Sequence, residues 1–210
     1  MTKILLSFPR CGNHLCRFFI ELLSELPTRG CLGNKEDIPI YKNVFEEEIP
    51  FNIPEKFNID DTYLKCHKMP NIRPSKLIFI LRNPQEALLR NNGFERRFSD
   101  NGPGSFTHYF KLIDFYLNYK GEKQIIYYED MINNKKEFIN TLYDFLELDN
   151  LKKKEYVISN IEKLYKLSVG GSGFLNTTGG QGMTSNNDTN FHYKKIDSSI
   201  KTVFDNYIKD

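Results

Sequence analysis

The chain has 210 residues, 40% of them hydrophobic and 14% aromatic, which suits one folded domain with a real core and excludes a disordered segment. A formal net charge of +2 excludes a general nucleic-acid binder, although local basic clusters can still hold a small anion. No apolar run approaches the roughly 20 residues of a membrane span, and the opening MTKILLSFPR reads as a strand, not as a signal peptide.

Lys3 to Phe8 is a short apolar run closed by Pro9, the pattern of a buried strand. Leu15, Phe18, Phe19, Leu22, Leu23 and Leu26 then recur at helical spacing from Asn13, until Pro27 ends the run. Residues 28–61 show no period and read as loop, with Glu46–Glu48 a solvated patch. Thr62–His67 and Lys76–Leu81 are the next expected strands, the second apolar throughout, as in a strand covered on both faces. A helix is expected from Pro84, a residue favoured in a first turn, and another over Phe106–Tyr119. Lys123–Tyr128 reads as a strand. Phe138, Leu142, Phe145 and Leu146 mark the helix behind it, and Lys152–Leu167 reads as one further helix. Residues 170–190, rich in Gly, Ser, Thr and Asn, read as a loop or lid, and a helix over Ile196–Ile208 closes the chain.

Strands alternating with helices imply right-handed crossovers. The expected fold is therefore α/β, a three-layer P-loop-like arrangement with a mostly parallel central sheet flanked by helices, in a single domain of residues 1–210. Ligands of such sheets bind beyond the carboxyl ends of the strands. Cys11, Cys16, Cys31 and Cys66 lack metal-ligand spacing and are expected as reduced thiols in a cytoplasmic compartment.

Ser7 to Leu15 joins the first strand to the first helix. Gly12 permits a tight turn, and the amides after it open a helix whose free N–H groups and dipole favour an anion. Arg10 adds a planar guanidinium suited to phosphate or sulfate. A nucleotide-kinase loop, G-x-x-x-x-G-K-[ST], needs Lys and then Ser or Thr where Asn13 and His14 stand. Gly12 alone favours an ordinary strand–helix turn.

The run S-F-P-R-C-G-N-H-L resembles the 5′-phosphosulfate loop of cytosolic-type sulfotransferases, approximately T-Y-P-K-S-G-T-T-W. Pro9 and Gly12 match outright, Arg10 stands where the family has Lys or Arg, and Asn13 where it has Thr or Asn. Cys11, His14 and Leu15 depart, and Leu15 offers adenine only apolar contact where the family stacks a Trp. Lys65-Cys66-His67 with Pro70 resembles the family's K-T-H-x-P element. That resemblance implies that His67 removes the acceptor hydroxyl's proton and that Lys65 stabilises charge on the transferring group. An unperturbed imidazole, with a pKa of about 6.5, suits this work; a lone strand His is otherwise more often structural.

Leu81-Arg82-Asn83-Pro84 resembles the second family signature, R-N-P-x-[DE], whose Arg holds the donor's 3′-phosphate. The family's Ser eight residues later is Arg90 here, a charged donor in place of a hydroxyl. Tyr127 to Met131 resembles the strand–Y-E-D-[LM] segment, which implies Tyr128 near the adenine and Glu129 and Asp130 steadying the turn. Thr177-Thr178-Gly179-Gly180-Gln181-Gly182 fits the family's last donor element, R-K-G-x-x-G, in position and spacing but without its basic pair; Gly170-Gly171-Ser172-Gly173 competes for that match.

The resemblance thus implies a sulfotransferase using 3′-phosphoadenosine-5′-phosphosulfate (PAPS), without a metal. Arg10, Cys11, Gly12, Asn13, His14, Leu15, Arg82, Arg90, Tyr128, Thr178 and Gly179 would face the donor. Arg10, Lys65 and His67 would act on the reacting groups. The acceptor bears a hydroxyl, with phenol, alcohol, sugar and peptide tyrosine all open, as is the oligomeric state. A non-catalytic phosphonucleotide-binding module, which the missing basic pair keeps open, and a nucleotide kinase are the alternatives.

Overall fold

The computed structural model describes residues 2–30, 57–90 and 105–170. The expectations for Cys31, Glu46–Glu48, the loop after Gly170 with Thr178 and Gly179, and the closing helix lie outside the described residues.

Four strands, β1 (Lys3–Ser7), β2 (Tyr63–Cys66), β3 (Lys76–Leu81) and β4 (Glu122–Tyr127), form an all-parallel sheet in the order β2-β1-β3-β4. Ile4 to Ser7 and Leu77 to Ile80 are buried without alternation, which is how strands covered on both faces read. The second strand is shorter than expected, so His67 lies just past its end.

The helices are α1 (Asn13–Ser24), α2 (Pro84–Arg90), α3 (Phe106–Asn118), α4 (Tyr128–Asn133), α5 (Lys135–Phe145), α6 (Leu151–Ser159) and α7 (Ile161–Gly170). From β1 the chain moves outward to β2, and from β3 it moves the opposite way to β4. Right-handed crossovers therefore put α1 on one face and α2 with α3 on the other. On the first face α1 packs against α5, α6 and α7, with Phe19 edge-on to Phe138 at 5.6 Å. On the second face Tyr116 stacks on Phe79 at 5.2 Å, and Tyr109 meets Phe8 edge-on at 5.2 Å. The reversal of direction falls between β1 and β3, so a crevice opens where Ser7 and Leu81 end their strands.

The helix expected over Lys152–Leu167 is two helices. At Asn160 the backbone leaves helical geometry (φ −110°, ψ 15°), and the Asn160 side chain donates to the Tyr156 carbonyl at 2.8 Å. Asn offers the backbone this local alternative, whereas apolar periodicity alone runs straight through it.

Where α1 ends, Glu25 adopts a left-handed φ of 56° and returns its N–H to the Glu21 carbonyl at 2.9 Å. The departing chain is then tied back by charge. Arg17 Nε donates to Thr28 Oγ1 at 2.7 Å and Arg17 Nη2 to the Thr28 carbonyl at 3.0 Å. Thr28 gives both its N–H (2.9 Å) and its hydroxyl to Glu21 Oε1. All three residues are buried, and a buried ionic group is tolerated only when it is hydrogen-bonded in this way. Thr28→Val keeps the shape and removes both hydroxyl bonds. It is expected to cost about 2–3 kcal/mol in urea unfolding; a change below about 0.5 kcal/mol, the level of an inert surface substitution, would show the network to be idle.

Candidate functional site

The loop after β1 carries two left-handed residues in three: Arg10 at φ 68° and Gly12 at φ 83°. For a non-glycine residue that conformation costs about 1–3 kcal/mol and persists only where the surroundings impose it. Here Arg82, at the end of β3, imposes it. Its Nη1 donates to the Arg10 carbonyl at 2.8 Å, and its Nη2 pairs with Glu86 Oε2 at 3.1 Å. The guanidinium lies 3.8 Å from the centroid of the Tyr128 ring. The Tyr109 hydroxyl donates to the Arg82 carbonyl, and Glu129 Oε1 accepts the Asn83 N–H at 3.0 Å.

Gly12 is required twice over. Beyond its φ, a Cβ at this position would stand 2.5 Å from the Tyr128 ring and 2.8 Å from Met131. Gly12 also opens α1 without a capping side chain, and the first turn of α1 holds no acidic residue. Elsewhere Ser105 caps α3 and Asn150 caps α6. A helix that starts in this way favours an anion at its leading amides and at the positive end of its dipole.

Opposite this loop stand Lys65 on β2 and His67 beyond it. His67 Nδ1 is 2.9 Å from the Ser7 carbonyl, which can only accept, so Nδ1 carries the proton and Nε2 is the ring's acceptor. His108 Nε2 in turn donates to the His67 carbonyl at 2.7 Å. Burial, then Lys65, lowers the His67 pKa to about 4, with Arg17 and His108 adding to the effect and the Ser7 bond opposing it. The unperturbed value expected from sequence does not hold, because the ring is desolvated among cations. His14 is held well below its ordinary value by burial, then by Lys65, Arg17, His67 and Arg10. Both imidazoles are neutral at pH 7 in a strongly electropositive corner.

The structure brings Arg10, Gly12, Asn13, His14, Lys65, His67, Arg82 and Tyr128 to the carboxyl edge of the sheet, and Arg90 is the last residue of α2. Cys11 turns its side chain into the core, where burial pushes the thiol up to about 12; only its backbone can meet a ligand. Leu15 is likewise a core residue. Tyr128 lies beneath the loop against Gly12 and Arg82, while Tyr127, 45% exposed, points outward. Asn13 Oδ1 and Arg82 Nε are buried polar atoms with no partner among the described residues, as expected of a site shaped for a polar ligand. Ser7, Glu86, His108 and Tyr109 are positioning groups that sequence reasoning missed. Only the Ser105 cap before α3 hinted that His108 and Tyr109 are fixed in place.

A groove of about 760 Å³ lies away from this corner, between residues 69–74 and the C-terminal half of α3.

The fold and the loop together define an α/β protein with a parallel central sheet flanked by helices. The family model of the sulfotransferase domain matches residues 3–209, and the chain belongs to that family. No curated protein matches it. Among solved structures it is similar to mouse sulfotransferase SULT7A1 complexed with PAP, at 15% identity and a TM-score of 0.49, over 98% of this chain and 81% of that one.

Two outcomes follow from this geometry. Gly12→Ala is expected to cost about 2 kcal/mol or more, from φ and from the clash with Tyr128, and to weaken anion binding with it. Wild-type stability in that variant would show that the loop is not held as described. The depressed His67 pKa also sets a pH dependence. The folded state binds fewer protons than the unfolded chain, so this stability is complete above pH 6.5 and is lost as pH falls toward about 4. His67→Gln should flatten that part of the wild-type urea-midpoint profile, and an unchanged slope would contradict the assignment.

Proposed function

We propose that the protein transfers a sulfuryl group from PAPS to an acceptor hydroxyl, with His67 as general base. Membership of the sulfotransferase family supports sulfuryl transfer in general. The observation that carries the finer reading is the Nδ1–H bond to Ser7, which leaves His67 Nε2 as the only acceptor on a ring next to Lys65 and the α1 amides.

PAPS supplies the sulfuryl group and a phosphate leaving group. The amides from Gly12 to Leu15 and the Arg10 guanidinium take the 5′-phosphosulfate. Arg82, through its unmatched Nε, and Arg90 at the end of α2 take the 3′-phosphate. Leu15 and Tyr128 shape the loop from the core. His67 Nε2 accepts the acceptor's O–H proton as the acceptor oxygen bonds to sulfur in line with the leaving group. The sulfur–oxygen bond to the 5′-phosphate breaks, and its electron pair departs on a phosphate oxygen that Arg10, Lys65 and the α1 amides stabilise.

The domain works as one unit in a reducing, cytoplasm-like compartment. Cys11, Cys16 and Cys66 are buried, and no helix among the described residues is long and apolar enough to cross a membrane.

His67→Gln should lower kcat by about 10²–10⁴-fold while leaving the Kd for 3′-phosphoadenosine-5′-phosphate within about threefold. Wild-type turnover in the variant would remove His67 from the mechanism. A wild type that binds this nucleotide but transfers to no acceptor in a hydroxyl library, read by mass spectrometry, would be a binding module. Calorimetry checks the 3′-phosphate site. Wild type should bind 3′-phosphoadenosine-5′-phosphate at least about tenfold more tightly than adenosine 5′-phosphate, and Arg90→Ala should lose most of that preference. Equal binding of the two nucleotides by wild type would deny the site.

A further inference from the structure

We propose that Ser7 is a positioning residue that ties the donor loop to the base, its hydroxyl held by Asn13 on one side and facing the Nδ1–H of His67 on the other. The inference rests on the reading of His67 as general base. Ser7 is fully buried as the last residue of β1, the strand flanked by β2 and β3. The β1–β2 ladder ends at Leu6↔Cys66. The next carbonyl on β1, that of Ser7, takes the His67 ring N–H at 2.9 Å. The Ser7 hydroxyl stands 3.3 Å from the same nitrogen and accepts Asn13 Nδ2 at 3.0 Å.

Each member of this chain is fixed by something else. Ser7 is set by its register with Ile80 on β3, and the His67 backbone by His108. Asn13 is the first residue of α1, among the amides that meet the donor. Its Oδ1 has no partner among the described residues, so the hydrogen bond to Ser7 is what orients its amide plane there. A donor anion that draws on Asn13 therefore moves the Ser7 hydroxyl, and through it the imidazole, along two hydrogen bonds. Donor occupancy and the aim of Nε2 become one event. Nothing in the chain is oxidised or transferred; the coupling is by position alone.

The first test needs no nucleotide. At pH 7 the Nδ1 proton of His67, assigned by its loss in His67→Gln, is followed by NMR in wild type, Ser7→Ala and Ser7→Thr. Losing one of its two acceptors should speed exchange of that proton with water about three- to tenfold, and Thr should restore it. An unchanged rate in folded Ser7→Ala overturns the proposal. Should Ser7→Ala not fold, Asn13→Ala decides in the same way, because the hydroxyl then loses its holder; an unchanged rate there overturns it too. The second test is kinetic. Ser7→Ala should lower kcat about tenfold, at the upper end of one neutral hydrogen bond, with the KM for PAPS changed by less than about threefold, and Ser7→Thr should recover kcat. A rise in KM matching the fall in kcat would make Ser7 a mere part of the loop and overturn the proposal. If the exchange rates behave as expected but wild type transfers nothing, the positioning stands and the transferase reading fails.

Discussion

The Arg82 guanidinium, 6% exposed and stacked on Tyr128, spends one arm on the Arg10 carbonyl and another on Glu86, and the shape of the whole corner follows from that anchorage. It holds Arg10 in a backbone region the residue would otherwise avoid, which points the Arg10 carbonyl inward and lets the chain turn at Gly12 into α1. The clamp also joins β3 to the β1 loop across the crevice where the sheet reverses direction. Tyr109 and Glu129 brace it from α3 and α4. The site is thus built by elements from both faces of the sheet.

Charge completes what the clamp begins. The corner gathers Arg10, Arg17 and Lys65 around two imidazoles that burial and those cations keep neutral. Burial is the larger cause for both rings and the neighbouring cations the next, so an anion in the corner would offset the second and leave the first.

Much of this was legible in the sequence. The apolar runs at Lys3–Phe8 and Lys76–Leu81 name two central strands, and Pro9, Gly12 and Pro84 punctuate the chain where the strands stop. K-C-H and R-N-P each fall at a strand end, as parallel-sheet logic requires. What residue patterns could not convey is the direction in which side chains point. Cys11, Leu15 and Tyr128 lie within or beside the motifs, yet all three are buried: Cys11 between the left-handed Arg10 and Gly12, Leu15 in the first turn of α1, and Tyr128 at the start of α4. His108 carries no pattern of its own, and Ser7 opens the loop motif without any sign of its partner. They matter through contacts with residues 60 and 41 positions away, which only the folded chain brings together.

If the loop amides are the donor's seat, amide chemical shifts show it most directly. On titration with 3′-phosphoadenosine-5′-phosphate, the backbone N–H resonances of Gly12, Asn13, His14 and Leu15 should move further than those of residues 69–74, which line the groove beside the C-terminal half of α3. Loop amides that stay in place while the groove residues shift would contradict it, and would move the nucleotide site to that groove.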